Sequence, residues 1–124
     1  MIELLGFAHS QFARGVGKDV EQLMREVAEQ SMAAAGLDGT DIDAVVVSHF
    51  NHGMSQQGFT AGLSGGLLPG LQMKPSVRVE AACASGSAAV HQAAALVKAG
   101  EADRVLVLGV EVMSLLPTAG VGAA

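Results

Sequence analysis

The sequence has a single cysteine, few basic residues and little aromatic surface. Cys83 has no second cysteine in the chain with which to form a disulfide or a cysteine-rich metal site. One free thiol is typical of a reducing compartment such as the cytoplasm. Seven Lys and Arg stand against 12 Asp and Glu, the net charge is −5, and four Phe are the only large aromatic residues. We therefore expect a cytoplasmic protein that does not bind nucleic acid, because it has no basic patch with interleaved aromatic side chains.

Long apolar runs are missing as well. No segment approaches the roughly 20 apolar residues that a membrane-spanning helix needs. The chain starts with Met1, Ile2 and Glu3 instead of the basic stretch that opens a signal peptide. What the sequence does have is 124 residues of which 50% are hydrophobic, enough to bury the core of one domain. We therefore expect a globular domain without a membrane segment.

The apolar patterns predict an α/β fold. Apolar residues recur at helical spacing after Asp19, which has the spacing of a capping box with Gln22, and Gly36 can end this helix. Strands are predicted at 2–8, 41–48, 77–81 and 103–110, and further helices at 59–68 and 85–99. This β-α-β-α-β-α-β order favours a mostly parallel sheet with covering helices. Its edge strands would need covering by more chain or by another subunit.

Cys83 lies where the third predicted strand gives way to the last predicted helix. Ligand crevices form at such turns, which sit at the carboxyl ends of parallel strands. Backbone N–H groups and the macrodipole at the start of a helix favour a thiolate, the species that attacks a thioester. Gly86 and other small neighbours leave room for a substrate to approach the sulfur. Free cysteine is also among the most buried residue types, so two roles stay open for Cys83, a nucleophile or a small core residue.

Two stretches of the sequence resemble one family. Residues 79–89 read Val-Glu-Ala-Ala-Cys-Ala-Ser-Gly-Ser-Ala-Ala, and residues 109–114 read Gly-Val-Glu-Val-Met-Ser. With Lys-Ala-Gly-Glu-Ala-Asp at 98–103, and Asp-Ile-Asp at 41–43 before a valine-rich strand, they resemble the thiolase family over almost the whole chain. The resemblance implies a thiolase-like half-fold in which residues 1–124 form an N-terminal domain without its C-terminal half.

The resemblance also implies a chemical role for Cys83. The matching cysteine of the family takes an acyl group from an acyl-CoA, so Cys83 is expected to be the catalytic nucleophile of an acyltransferase in lipid metabolism. Coenzyme A thioesters are then substrates, and no resident cofactor or metal is expected. Because family members form dimers through this half, the resemblance implies a homodimer or a higher oligomer. Ala81 stands where many thiolases have a basic residue, which makes the segment more similar to the sterol-carrier-protein type and related bacterial and archaeal acetyltransferases.

The sequence lacks two motifs that the second half of a thiolase supplies. These are a histidine in a Gly-His-Pro context and a second cysteine, and neither occurs here. Claisen condensation needs a group that removes a proton from the second acyl group, so the chain alone is expected to form an acyl-enzyme at most. A truncated chain, or a split enzyme whose other half is a separate chain, would account for this. The acyl chain length and the physiological direction stay open.

Two alternatives to a thiolase remain. The Ala-Ala-Cys triplet that ends at Cys83 is also similar to ketoacyl synthase III, and hydroxymethylglutaryl-CoA synthase chemistry is related, although the Gly-Val-Glu-Val-Met-Ser run favours a thiolase. The other alternative is a non-catalytic module that keeps the fold and dimerises through a sheet edge, with Cys83 inert.

The four histidines have weaker claims to a site. His91 lies eight residues after Cys83 on the predicted helix that follows it, roughly 12 Å away along the helix axis. This is too far for His91 to be the base of Cys83, and a structural or surface role is expected. His49 and His52 follow the second predicted strand and could reach the crevice. His9 ends the first predicted strand and has a smaller claim. Their scattered spacing predicts no metal site.

The remaining candidates are expected to have structural or solvent-facing roles. Lys74 and Arg78 flank the third predicted strand, where they could meet an anionic cofactor, although surface charge in contact with water is the expected role. Glu111 matches a position of the family and is expected to support the structure around the site. The glycines at 53–70 do not follow a strand in a phosphate-binding pattern. A connecting loop is expected there, and a loop that covers the substrate or contacts another subunit is the alternative. Two methionines are expected to pack against other residues: Met54 and Met73.

Overall fold

The computed structural model describes residues 1–13, 17–50 and 59–113. Its helices and strands are, in chain order, α1 (Val20–Ala35), β1 (Ala44–Ser48), α2 (Thr60–Leu63), β2 (Ser76–Val79), α3 (Ser85–Lys98) and β3 (Val105–Gly109). Single 3-10 turns occur at Gly39–Asp41 and Ser64–Gly66. None of the helices in these three ranges is long and apolar enough to cross a membrane.

Helix α1 begins and ends as the sequence predicts. The Asp19 side chain accepts a hydrogen bond from the Gln22 N–H, and the Gln22 side chain accepts one from the Asp19 N–H, which is the reciprocal capping box. At the other end Gly36 has a φ of 69°, a left-handed conformation that glycine adopts without strain. The buried side of the helix consists of residues at helical spacing: Val20, Met24, Ala28 and Met32.

The sheet has three parallel strands in the order β2-β1-β3. All five residues of the central strand β1 are buried, as its continuous apolar run predicts for a strand covered on both faces. In the register of the sheet Ser48 lies beside Val79 of β2 and Gly109 of β3. The three strands therefore end together, and the segments that follow them start from one edge.

Helices cover both faces of this sheet. Successive side chains of a strand point to opposite faces, so Val45 and Val47 join the cluster that contains the buried side of α1, whereas Val46 packs against Ala89 and Ala93 of α3. Burying each of these valines stabilises the fold by roughly 1.5–3 kcal/mol. The α/β class and the parallel sheet predicted from the sequence are confirmed.

The predicted first strand at 2–8 is wrong. Within the described ranges this segment pairs with no strand, and its side chains are largely exposed, for example Leu4 at 84% and Phe7 at 69%. It runs instead close to α1, where a Cβ on Gly6 would lie 2.7 Å from the Ser31 carbonyl oxygen. A strand needs a partner edge as well as an apolar sequence, and the apolar pattern carries no information about the partner.

The predicted helix at 59–68 is shorter than expected. It consists of the single α-helical turn of α2 followed by the 3-10 turn Ser64–Gly66. The glycines of this segment lower its helix propensity. The end of the segment is held by a side chain from α1. Arg25 donates hydrogen bonds to the carbonyl oxygens of Leu67 (3.3 Å) and Gly66 (3.0 Å). The other predicted strands and the helix at 85–99 are confirmed, each slightly shorter than predicted, and β2 starts one residue earlier than its predicted bound.

Candidate active site

Cys83 lies four residues after the end of β2 and two residues before the start of α3. Its thiol is free and the residue is exposed to solvent. The turn that carries it leaves the edge of the sheet at which all three strands end. The interpretation of Cys83 as a small core residue is therefore wrong, whereas its place at the strand-to-helix turn is as predicted.

Helix α3 starts beside Cys83 without a side-chain cap. Its N-cap residue is Ala84, which has no side chain that could accept a hydrogen bond from the first-turn N–H groups. In α1, by contrast, the Asp19 carboxylate occupies that place. The positive end of the α3 macrodipole is thus left without a capping anion next to the thiol.

The turn itself is held by two polar side chains. Ala82 has a φ of 50°, in the left-handed region that residues other than glycine seldom adopt. The Glu80 carboxylate accepts a hydrogen bond from the Ala82 N–H. The buried Ser85 hydroxyl accepts one from the Ala81 N–H at 2.9 Å and donates one to the Ala82 carbonyl oxygen at 2.6 Å. Sequence reasoning missed Ser85 and Glu80, although a hydroxyl residue at a helix start is a known signal of local backbone hydrogen bonding.

A second group of polar residues lies at the same edge of the sheet. His49 follows β1 and is only 1% exposed, and its Nε2 lies 3.8 Å from the Glu111 carboxylate. The same carboxylate accepts a hydrogen bond from the Phe50 N–H. Arg78 of β2 donates through Nε to the His49 carbonyl oxygen at 3.0 Å. The predicted surface role of Arg78 is therefore wrong, because its half-buried side chain binds backbone, while the expected supporting role of Glu111 fits these contacts.

The other candidates from the sequence do not join the site. His91 is exposed on α3, and His9 is near the surface, where it stacks with Phe12. Met73, expected to pack, is 99% exposed. His52 and Met54 lie outside the described residues. Within the described ranges no three His, Cys, Asp or Glu side chains are grouped so that they could hold a metal ion.

The described residues also form an open cleft of about 390 Å³ at the ends of β1 and β3. Its walls are mostly apolar and include residues 10–13, Leu23 and Val27 of α1, Ser48 and residues 109–112. Cys83 is not among the lining residues. We therefore assign no chemistry to this cleft and take the exposed thiol as the centre of the site.

Comparison with known proteins shows which family this chain belongs to. The family model described as "Thiolase, N-terminal domain" matches residues 7–123. The chain belongs to the thiolase family. The resemblance seen in the residues around Cys83 and at 109–114 is thereby confirmed for the domain as a whole.

The chain is similar to curated proteins of two kinds. The chain is 36% identical over 115 residues to an acetyl-CoA acetyltransferase of Methanocaldococcus jannaschii, covering 91% of this chain and 29% of that protein. It is 35% identical over 89 residues to a mycobacterial beta-ketoacyl-[acyl-carrier-protein] synthase III of Mycobacterium avium, covering 72% of this chain and 26% of that protein. The chain thus spans less than a third of the length of either relative.

A solved structure supports the fold. The 3-oxoacyl-[acyl-carrier-protein] synthase III of Aquifex aeolicus superposes with a TM-score of 0.65 at 22% sequence identity, covering 74% of this chain and 29% of that one. At that identity the likeness concerns the fold alone. It agrees with the parallel sheet and covering helices described above.

Proposed function

We propose that this chain supplies the nucleophile of a thiolase-type acyltransferase, with Cys83 as the residue that carries the acyl group. The observation that supports this most directly is the exposed, free thiol at the turn between β2 and α3. Membership of the thiolase family and the relatives named acetyl-CoA acetyltransferase support acyl-CoA as the substrate class.

The proposed step transfers the acyl group from the sulfur of CoA to the sulfur of Cys83. The Cys83 thiolate attacks the thioester carbonyl carbon of an acyl-CoA, and a tetrahedral intermediate forms. The bond between this carbon and the CoA sulfur then breaks, CoA leaves as a thiolate that takes up a proton, and the acyl group stays on Cys83 as a new thioester. No oxidant, metal or resident cofactor is needed for this exchange.

Completing a condensation requires a further group. A second acyl-CoA must lose a proton from its α-carbon before that carbon can attack the acyl-cysteine. His49 and His91 do not serve this role in the proposal, because His49 is enclosed and His91 is exposed further along α3. The base is therefore proposed to come from a separate stretch of protein, either further chain or a second polypeptide with the other half.

Intact mass spectrometry after incubation with acetyl-CoA tests the proposed nucleophile. We expect one acetyl adduct on the wild-type chain and none on Cys83→Ser or Cys83→Ala. The Ser87→Ala variant is a suitable control, because Ser87 lies on the same helix with an exposed side chain. If no adduct forms even with a complementary half present, the non-catalytic module becomes the better assignment.

Ketoacyl synthase III chemistry is the second candidate function. It is favoured by the 35% identity over 89 residues with the mycobacterial synthase. The two reactions differ in the acceptor of the acyl group. Product analysis is carried out with the complementary half present, and it compares acetyl-CoA with malonyl-loaded acyl carrier protein as the acceptor of the acyl group. A product formed only with the carrier protein would overturn the thiolase assignment.

The proposed assembly is a homodimer or a higher homo-oligomer, and the proposed compartment is the cytoplasm. Strand β2 is at the edge of the described sheet, with Val77 42% exposed, and such an edge is a template for pairing with another chain. The exposed free thiol of Cys83 fits a reducing compartment. Sedimentation of the wild type against Val77→Lys tests the dimer, which we expect to weaken in the variant; monomeric wild-type chain would contradict it.

A further inference from the structure

The Ser85 hydroxyl is enclosed and joins the two peptide groups that lead into Cys83. The residue is 4% exposed. Its oxygen accepts a hydrogen bond from the Ala81 N–H and donates one to the Ala82 carbonyl oxygen. The Ser85 backbone N–H donates to the same carbonyl at 3.1 Å. The carbonyl oxygen of the Ala82–Cys83 peptide group therefore accepts hydrogen bonds from both the backbone N–H and the side-chain hydroxyl of Ser85.

This peptide group follows a strained residue. A left-handed conformation is unfavourable for an alanine because its Cβ crowds the backbone, and Ala82 adopts it with a φ of 50°. Such strain persists only where the surroundings hold the backbone in place. Glu80 contributes a hydrogen bond to the Ala82 N–H, but Glu80 is exposed, so water competes for its carboxylate. The Ser85 hydroxyl is the enclosed partner.

Capping of α3 does not explain these bonds. The N-cap residue of α3 is Ala84, and no side chain caps that helix. The Ser85 oxygen accepts its hydrogen bond from the Ala81 N–H, which precedes the helix and belongs to the segment that follows β2. The hydroxyl thus acts on the turn before the helix and leaves the first-turn N–H groups of α3 without a side-chain partner.

We propose that Ser85 is a positioning residue, whose hydroxyl orients the Ala82–Cys83 peptide and thereby the Cys83 side chain for attack on a thioester. This inference rests on the proposed function of Cys83. The direction of the Cα–Cβ bond of Cys83 follows from the conformation of the preceding peptide. A nucleophile displaced by about 1 Å can lose on the order of a hundredfold in rate, so a hydroxyl that controls this peptide controls the reaction.

The test compares three variants of the full chain in a time course of acylation by acetyl-CoA. We expect Ser85→Ala to lower the limiting rate of Cys83 acylation by about tenfold or more, with little change in the acetyl-CoA concentration that gives half the limiting rate. Ser85→Thr keeps the hydroxyl and is expected to recover much of the rate. Ser87→Ala removes an exposed hydroxyl from the same helix and is expected to behave as wild type. A purely structural role would not separate Ser85→Thr from Ser85→Ala in this way.

A second readout follows the backbone itself. The carbon chemical shifts of Ala82 in solution report whether this residue keeps its left-handed conformation. We expect them to move in Ser85→Ala and to stay unchanged in Ser87→Ala. If wild-type chain is not acylated but the Ala82 shifts still move in Ser85→Ala, the proposed function fails while the orienting role of Ser85 stands. If Ser85→Ala is acylated at the wild-type rate, the positioning role is overturned while the function stands.

A double variant covers the case in which Ser85→Ala does not fold. Ala82→Gly removes the strain at position 82, because glycine adopts a positive φ readily, so Ala82→Gly with Ser85→Ala is expected to fold. Its acylation is compared with that of Ala82→Gly alone. A slower rate in the double variant supports the orienting role, and equal rates overturn it.

Discussion

Glu111 and Phe50 are joined across the sheet edge that carries the candidate site. The Glu111 carboxylate, which follows β3, accepts a hydrogen bond from the Phe50 N–H, which follows β1. On the other side of β1, Arg78 of β2 donates to the His49 carbonyl oxygen. The backbone that follows β1 is therefore held on both sides. Arg78 of β2 binds it at His49, and Glu111, which follows β3, binds it at Phe50.

Removing the Glu111 carboxylate should destabilise this edge. A hydrogen bond to a charged acceptor contributes on the order of 1–3 kcal/mol, and Glu111→Ala leaves the Phe50 N–H without it. Urea unfolding measures the loss, with Glu101→Ala as a control that removes an exposed carboxylate from a loop. Equal unfolding midpoints for the two variants would show that the contact does not contribute to stability.

Two glycine substitutions should change stability in opposite directions. A Cβ on Gly39 would lie 2.1 Å from the Pro69 carbonyl oxygen, so Gly39→Ala forces two loops apart and is expected to lose at least about 2 kcal/mol. A Cβ on Gly62 in α2 would meet nothing within 4 Å, and Gly62→Ala is expected to gain up to about 1 kcal/mol in helix propensity. Thermal unfolding of both variants checks the signs, and a stable Gly39→Ala would contradict the close approach of the loops.

The cap of α1 should contribute measurably to stability. Asp19→Ala removes the acceptor of the Gln22 N–H and is expected to lose about 1 kcal/mol. Asp19→Ser keeps a side-chain oxygen at the N-cap and should retain most of the stability. Chemical unfolding of the three proteins under one set of conditions tests this, and equal values for the Ala and Ser variants would argue against the cap.

Asp43 should make stability depend on pH in the acid range. Hydrogen bonds from the backbone N–H groups of Arg104 and Asp103 lower the pKa of the Asp43 carboxyl below its ordinary value. A carboxyl whose pKa is lower in the folded than in the unfolded state stabilises the fold above the unfolded pKa, roughly 4 for aspartate, and loses this contribution as the pH falls through the folded pKa.

The Asp43→Asn variant isolates this contribution. Its stability should fall less than that of the wild type when the pH is lowered from about 6 to about 3. The difference should be small because Asp43 is near the surface, where water and salt screen the charge. Asp103→Asn is the control, since its exposed carboxyl makes no hydrogen bond to another described side chain or backbone group. Parallel pH profiles for wild type and Asp43→Asn would refute the assignment.

Ala82→Gly should stabilise the protein. Glycine relieves the positive φ at position 82, and we expect a gain on the order of 1 kcal/mol. Ala95→Gly, in the middle of α3 where φ is helical, should instead lose about 1 kcal/mol. Thermal unfolding distinguishes the two, and a loss of stability in both variants would mean that Ala82 is not strained in solution.

Local patterns in the sequence were enough to predict much of this fold. Helix α1 could be predicted with both ends, because Asp19, Gln22 and Gly36 act on neighbouring backbone within a few residues. The buried central strand could be predicted from the valine run at 45–47. The turn with Cys83 could be placed because it joins a strand pattern to a helix pattern.

Contacts between distant residues decided the rest. The apolar segment at 2–8 is not a strand because strand formation depends on a partner edge that the segment itself does not encode. Arg78, His49 and Glu111 meet only because three parallel strands end in register. Sequence alone determined the family, the position of the thiol and the order of the helices and strands from residue 19 onwards. The tertiary structure decided that the thiol is exposed and that Ser85 is enclosed against its turn, because burial depends on how elements far apart in the chain pack together.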